Sequence, residues 1–358
     1  MKKNVYVLYG GISAEHEVSI RSGKTIIQYL DRNKYDVHPI YINKKGVWHP
    51  LGITGPDVQE EDLVKSSDLS IAESIADFLH KDFDSSKENV FFSVLHGTIG
   101  EDGAMQGFLK TLNVPFTGNG VLSSAVTMDK GITNRLLAEN DISQAKFMVL
   151  DRWSISSIKD IDTKKIIEKL GLPVYVKPCN AGSSVGITHV KKEEEFKEAF
   201  ELAFKYDTRV VLEEEVLGVE VELTVAGNKT IRASLPGSYM STDEFLDYDG
   251  KYNTPDRVPE IPYPKDEKTQ NELRKLAVKA YKACSCMGFA RVDIFIRKGD
   301  GALLVNEINT LPGMTTISLA QRLWEETYGL DYPAFMDMLI ELAEEAHKER
   351  NSLVVDRS

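Results

Sequence analysis

Arg291-Val-Asp-Ile-Phe-Ile-Arg297, followed after Lys298-Gly-Asp-Gly301 by Val305-Asn-Glu-Ile-Asn309, decides how this 358-residue chain is read. Side chains alternate faces along a strand. Arg291 and Asp293 therefore share one face of the first segment, and Glu307 and Asn309 share one face of the second. The Gly-Asp-Gly turn predicts that the two segments pair as an antiparallel hairpin. That pairing brings together two carboxylates, one amide oxygen and one guanidinium. Hard oxygen donors suit Mg²⁺, which keeps waters and takes further ligands from substrate phosphates. Charged groups on a strand rich in Val, Ile and Phe are costly unless paired or metal-bound. The alternative is an edge hairpin with two solvated faces.

Composition narrows the classes. The length suggests about two or three domains with ample core. A content of 42% hydrophobic and 27% charged residues is that of a globular protein rather than a disordered or fibrous one. The formal charge of -12 argues against nucleic acid as the main partner, because phosphate neutralisation needs a basic surface. A small phosphorylated ligand held by local lysines remains compatible. Three cysteines give no disulfide framework and no zinc set, and Cys284 and Cys286 read as reduced thiols in a helix. The N-terminus lacks the features of a signal peptide, and no apolar run is long enough to span a bilayer. A cytoplasmic location without membrane partners is the expectation.

Strands at Val5–Tyr9, Val37–Ile42 and Asn89–Leu95 alternate with helices starting near Ser13 and Ile71. Ser13 is positioned to cap the first helix. This order predicts a parallel α/β domain, whose ligands gather at the carboxyl ends of the strands, where Gly10-Gly11 and His96-Gly97 fall. Gly118-Asn-Gly120 reads as a boundary. Beyond it, strands at Phe147–Leu150, Val174–Lys177, Ile187–Val190 and Val210–Leu212 mix with helices in an antiparallel α+β pattern. Residues 238–257 lack apolar periodicity and read as a long loop of the lid type. Helices follow at about Lys268–Cys284, Leu319–Tyr328 and beyond Phe335.

Lys177-Pro-Cys-Asn-Ala-Gly-Ser-Ser-Val-Gly186 offers close backbone N–H groups and a lysine for phosphate oxygens. It also contains the G-x-S-x-G pattern of serine hydrolases, but a strand follows where the nucleophile elbow requires a helix. A plain Gly-rich hairpin is the other alternative. Glu213, Val216 and Glu220 lie in a stretch that could read a nucleotide at a crossover, or could simply be solvated. His96, in His96-Gly-Thr-Ile-Gly-Glu-Asp-Gly103, is structural or sits in a crevice. Thr310–Ser318 precedes a helix whose start favours an anion, or is a plain cap.

Together these pieces resemble the D-alanine–D-alanine ligases of the ATP-grasp superfamily over nearly the whole chain. The specific motifs are His96-Gly-Thr-Ile-Gly-Glu-Asp-Gly-Ala-Met-Gln-Gly107 and Arg291-Val-Asp-Ile-Phe…Val-Asn-Glu-Ile-Asn-Thr-Leu-Pro-Gly313. Gly10-Gly-Ile-Ser-Ala-Glu-His-Glu-Val-Ser19 and the Lys177–Gly186 loop match in the expected order. The resemblance implies a Rossmann-like parallel α/β domain over 1–120, a central lobe over 121–213 and a C-terminal lobe over 214–358. It implies ATP-dependent joining of two D-alanines through an acylphosphate for the peptidoglycan cell wall, by a homodimer.

In that resemblance Glu15 holds the first D-alanine ammonium, with His96 nearby. Arg291 and the Gly313 N–H face the developing oxyanion. Ser318 and the Leu319 N–H hold the second carboxylate. Asp293, Glu307 and Asn309 bind two Mg²⁺ (or Mn²⁺). Lys130 and Lys177 bind ATP phosphates beneath the Ser183–Ser184 loop, and Glu213, Val216 and Glu220 contact adenine and ribose. Lys251 reaches phosphate, and Tyr252 locks the lid onto Ser183, which holds Glu15. A tyrosine there favours an amine nucleophile over a hydroxyl one. D-alanyl-D-serine synthesis and catalytically silent nucleotide binding are the alternatives. Glu214 departs from the basic or neutral residue many relatives carry.

Overall fold

Three four-stranded sheets carry the chain in a computed structural model that describes residues 2–239, 259–264 and 266–354. The first comprises β1 (Lys3–Gly10), β2 (Tyr35–Ile42), β3 (Trp48–Pro50) and β4 (Asn89–Ser93), in the order β3-β2-β1-β4. β1 runs parallel to β2 and β4, as the alternation of strands and helices predicts. β3 departs from an all-parallel sheet, because it turns back to pair antiparallel with β2. The Asn43–Val47 turn causes this. Asn43 Oδ1 accepts the N–H groups of Lys45 and Val47 and closes a hairpin too short to show alternation. Helix α1 (His16–Tyr29) follows β1. Its N-cap is Glu15 and not Ser13. The Ser13 hydroxyl donates to the His96 carbonyl at 2.8 Å and accepts the Glu15 N–H, so it ties two strand-end loops together. Helices α2 (Ile71–Asp77), α3 (Ala104–Thr111) and α4 (Val121–Met128) complete this part of the chain.

The second sheet is antiparallel, with β5 (Phe147–Asp151), β6 (Val174–Pro178), β7 (Thr188–Val190) and β8 (Arg209–Glu214) ordered β5-β8-β6-β7. Helix α5 (Lys130–Glu139) leads into it. α6 (Thr163–Leu170) and α7 (Phe196–Ala203) cover its apolar face through Ile166, Phe196 and Phe200 against Val174, Val176 and Leu212. The Gly/Ser loop joins β6 to β7, so it is a strand–loop–strand element and no nucleophile elbow.

The third sheet holds β9 (Gly218–Ala226), β10 (Arg232–Ala233), β11 (Phe289–Arg297) and β12 (Leu303–Asn309), ordered β10-β9-β11-β12. The predicted hairpin is present, with Arg291 opposite Asn309 and Asp293 opposite Glu307. It is not a solvated edge pair, since β9 flanks β11 along its whole length. Helix α8 (Glu267–Ala283) buries Leu273, Ala277 and Tyr281 against Val221, Leu223, Val292 and Ile294 on the other face. Cys284 caps this helix and Cys286 lies just beyond it, both buried and free.

Helices α9 (Leu319–Tyr328) and α10 (Tyr332–Asn351) return to the first sheet. Trp324, Phe335, Met336 and Leu339 join Val5, Val7, Tyr9 and Ile26 in one core. Each such fully buried side chain contributes about 1.5–3 kcal/mol. Lys3–Glu344 and Lys34–Asp337 ion pairs at 2.5 Å border this seam. Of the expected lid, only Ser238 and Tyr239 lie within the described residues; Lys251 and Tyr252 lie outside them. Ser238 pairs with Glu260 through two backbone hydrogen bonds.

Candidate active site

Four charged side chains converge on one face of the third sheet. Arg291 grips Asp293 with two parallel bonds, Nε to Oδ1 at 2.7 Å and Nη2 to Oδ2 at 2.6 Å. Its Nε lies 3.3 Å from Glu222 Oε2, and its Nη2 lies 3.9 Å from Glu307 Oε1. Glu222 was not among the residues expected here. It faces Asp293 across the β9–β11 ladder. The sequence signal was its i+2 spacing from Glu220, which puts both on one strand face. A bulge between Asp293 and Ile294 leaves Asn306 as the extra residue, and Asn306 donates to Glu220 Oε1 at 2.6 Å. Asn309 Oδ1 accepts the Leu311 N–H at 3.0 Å and shapes the loop that follows.

Burial works against the Arg291 charge, but Asp293, Glu222 and Glu307 outweigh it, and the guanidinium's pKa is raised. Burial also pushes the Asp293 carboxyl well above its ordinary range. Arg291 opposes that push, while Glu222 and Glu220 reinforce it. Among the described residues no group of three or more His, Cys, Asp or Glu side chains is arranged to hold a metal ion. Even so, the face carries more carboxylate than its one guanidinium neutralises.

The Gly/Ser loop meets this face from the second sheet. Ser183 and Ser184 both adopt left-handed backbone, with φ of 47° and 61°. Such conformations cost of order 1–3 kcal/mol each in non-glycine residues and gather at functional sites. The turn aims the Ser183 hydroxyl at Glu15, to which it donates a short hydrogen bond. Glycines pack close on either side of that carboxylate, and Gly97 also needs its positive φ of 78°. A Cβ on Gly97 would lie 2.7 Å from Glu15 Oε2, and one on Gly182 would lie 3.0 Å from it. Glu15 is nearly buried, and burial followed by the Glu101 charge raises its pKa. Ser183 and His96 oppose that rise, and Glu307 adds to it.

Lys177 extends from β6 and donates to Glu213 Oε2 at 2.6 Å. The Glu213 Oε1 accepts from Asn134 at 2.8 Å, so this carboxylate is fully occupied inside the protein. Glu220 and Glu307 also hold up the charge on Lys177, across from the third sheet. Lys130 opens α5, where Asp129 caps the Ile132 N–H. Its ammonium reaches the Ala181 carbonyl at 2.6 Å, inside the Gly/Ser loop. Val216 lies in the short link between β8 and β9. Glu214 turns away toward Lys146, whose N–H it accepts at 2.9 Å.

The loop after β12 closes the other side. A Cβ on Gly313 would lie 3.0 Å from Ser318 Oγ, so the two residues nearly touch. The Ser318 hydroxyl accepts the Thr315 N–H at 3.0 Å instead of capping α9, whose first residue is Leu319. The first N–H groups of α9 thus have no acceptor from the N-cap side chain, and the helix start favours an anion. Both ring nitrogens of His96 are engaged within the protein, one with the Leu311 carbonyl and one with Ser22.

A parallel α/β unit followed by two sheets that face each other across a charged cleft is the architecture of an ATP-grasp enzyme. Residues 4–119 match the family described as D-ala D-ala ligase N-terminus, and residues 136–341 match D-ala D-ala ligase C-terminus. A D-alanine–D-alanine ligase of Finegoldia magna is 44% identical over 360 residues, covering 100% of both chains. The solved D-alanine–D-alanine ligase of Coxiella burnetii superposes with a TM-score of 0.80 at 32% identity, over 98% of this chain and 96% of that one. The VanG D-Ala:D-Ser ligase of Enterococcus faecalis does so at 0.78 and 30%, over 96% and 100%. The chain belongs to the D-alanine–D-alanine ligase family.

Proposed function

We propose that this protein joins two D-alanines into D-alanyl-D-alanine at the expense of ATP, supplying peptidoglycan synthesis. The observation that carries this reading is that Glu307, which lies beside Arg291 on the third sheet, acts on the buried Glu15 that Ser183 holds. Glu15 receives the ammonium of the first D-alanine, which cancels the charge that burial makes costly. Lys130, Lys177 and the Ser184 backbone hold ATP phosphates. Glu213 acts on the nucleotide through Lys177, and the Val216 link and Glu220 border adenine and ribose. The first carboxylate attacks the γ-phosphorus, and ADP leaves. The second D-alanine, its carboxylate at Ser318 and the Leu319 N–H, attacks the acyl carbon through its amine. A C–N bond forms, the C–O bond to phosphate breaks, and the surplus amine proton leaves with the phosphate. Arg291 and the Gly313 N–H stabilise the oxyanion between these events. Catalysis is therefore mostly positioning and charge stabilisation.

Mg²⁺, or Mn²⁺ in its place, fits the donor set. Asp293, Glu307 and Asn309 supply hard oxygen donors on one face, and the surplus carboxylate charge favours a cation there. When bound, such ions neutralise the phosphate oxygens. Lys251 and Tyr252 complete the proposed lid. We divide the chain at 1–120, 121–213 and 214–358, and read it as a cytoplasmic homodimer joined through its N-terminal domain. Three free cysteines, and the lack of a membrane-length apolar helix among the described residues, support that setting. D-serine as second substrate is the competing reading, favoured by the likeness to the VanG ligase.

Phosphate release from Mg-ATP with D-alanine, L-alanine, D-serine or D-lactate, with products weighed by mass spectrometry, tests the reading. Release that depends on D-alanine and yields D-alanyl-D-alanine supports it. A mixed product alone reassigns the second pocket. No release despite ATP binding overturns it.

A further inference from the structure

Ser22 lies on α1, fully buried, just beyond the Gly10–Ser19 motif. Its hydroxyl sits 2.9 Å from His96 Nε2. The same oxygen accepts the Met314 N–H at 3.3 Å. Across the ring, His96 Nδ1 sits 3.0 Å from the Leu311 carbonyl oxygen. A carbonyl oxygen only accepts, so Nδ1 carries the proton. In the neutral ring Nε2 is then an acceptor, and the Ser22 O–H donates to it. The lone pairs of Ser22 remain for Met314. A charged ring would place N–H donors on Ser22 from both sides and leave the Ser22 proton facing no acceptor among the described residues. The titratable groups around the ring are Glu101, 3.7 Å from Nδ1, and Glu15.

We propose that Ser22 is a positioning residue for the ligation. It fixes His96 as the neutral Nδ1–H tautomer, and the pair fastens the Leu311–Met314 loop to the N-terminal sheet. This rests on the reading of the Gly313 N–H as an oxyanion donor. Gly313 lies between the two residues that the clasp holds. Tyr332 grips the loop from a third side, its hydroxyl donating to the Met314 carbonyl at 2.5 Å. Asn309 holds Leu311 from the metal side of the site. His96 thus acts as a strut between α1 and the loop. Helix α1 consequently places two parts of the site at once, Glu15 at its N-cap and, through Ser22 about two turns further on, the oxyanion loop.

The first test is ¹⁵N–¹H correlation of the histidine rings in the full-length protein near neutral pH, with His96 assigned by the signal lost in His96→Asn. A neutral His96 ring protonated on Nδ1 is expected. An Nε2–H tautomer or an imidazolium overturns the proposal. The second is Ser22→Ala, for which kcat falls about 10–100-fold while the KM for ATP stays within about twofold, since a small misplacement costs rate rather than nucleotide affinity. Ser22→Thr, which keeps the hydroxyl, restores most of the rate. Wild-type kcat in Ser22→Ala, or a KM for ATP that rises in step with the loss, also overturns it. Failure of the wild-type protein to form D-alanyl-D-alanine would refute the proposed function, and the ring spectrum would still decide the clasp.

Discussion

Lys177–Glu213 and Arg291–Asp293 are both buried cation–carboxylate pairs, and they respond to burial in opposite ways. Burial would raise the Glu213 pKa, but Lys177 outweighs it, Asn134 and Lys130 help, and the carboxyl ends below its ordinary value. Asp293 has an even tighter, two-bond partner and ends well above its ordinary value. The difference lies in the neighbours. Glu213 hydrogen-bonds one cation and one amide, Lys130 adds a second positive charge, and no other carboxylate acts on it strongly. Asp293 shares its single guanidinium with Glu222 and Glu307, with Glu220 close by. The first pair is complete within the protein and anchors a lysine. The second carries more carboxylate than its one guanidinium matches, and in the proposed function metal ions supply the balance.

The largest expected effect breaks the second cluster by withholding that charge. Chelation of divalent metal abolishes turnover, and added Mg²⁺ restores it; full activity in excess chelator would show that the surplus has no role. Next, Glu213→Ala strands Lys177 in the interior, at a cost of about 3–5 kcal/mol in stability. Denaturant unfolding measures it. Because the folded Glu213 pKa is depressed, its contribution is present above the ordinary carboxylate range and is lost as pH falls through the depressed value. The gap between wild type and variant should therefore narrow in acid, and a gap independent of pH would contradict the charge account. Arg291→Ala lowers kcat by about 10²–10³-fold, as loss of an oxyanion donor does. Steady-state kinetics at saturating substrates decides this, and near-normal turnover would leave Arg291 a mere partner for Asp293. The smallest effect sharpens the contrast. Glu222→Gln removes one surplus charge at constant shape, so the metal-free protein should melt about 1–3 °C higher. A lower melting temperature by calorimetry would mean that Glu222 is needed to balance Arg291.

Much of the second cluster was legible in the sequence. Alternation along Arg291–Arg297 and Val305–Asn309 placed four polar groups on two faces, and the Gly-Asp-Gly turn joined the two segments in the hairpin that the structure has. Alternation says nothing about which strand lies on the far side. Glu222 and the flanking position of β9 were therefore missed, and Asn306 enters the site only through a bulge. The same limit applies to Ser22, whose partners His96 and Met314 lie 74 and 292 residues away. The resemblance gave Glu213 as a nucleotide contact. Its partner Lys177 becomes visible only when β6 and β8 are laid side by side. Ser13 fits the local signature of a helix cap, but the loop after β4 offered its hydroxyl a better partner. β3 left almost no pattern, since three residues are too few to alternate.

The seam between the first sheet and α10 bears on the order in which the protein comes into being. Lys3 bonds to Glu344, 341 residues further along, and the apolar inner face of β1 closes against Phe335 and Leu339. At ordinary rates of translation the ribosome delivers that last helix roughly 20–70 s after the first strand. Until then Val5, Val7 and Tyr9 have only part of their final neighbours. The sheet that is begun first is therefore covered in full only when α10 arrives.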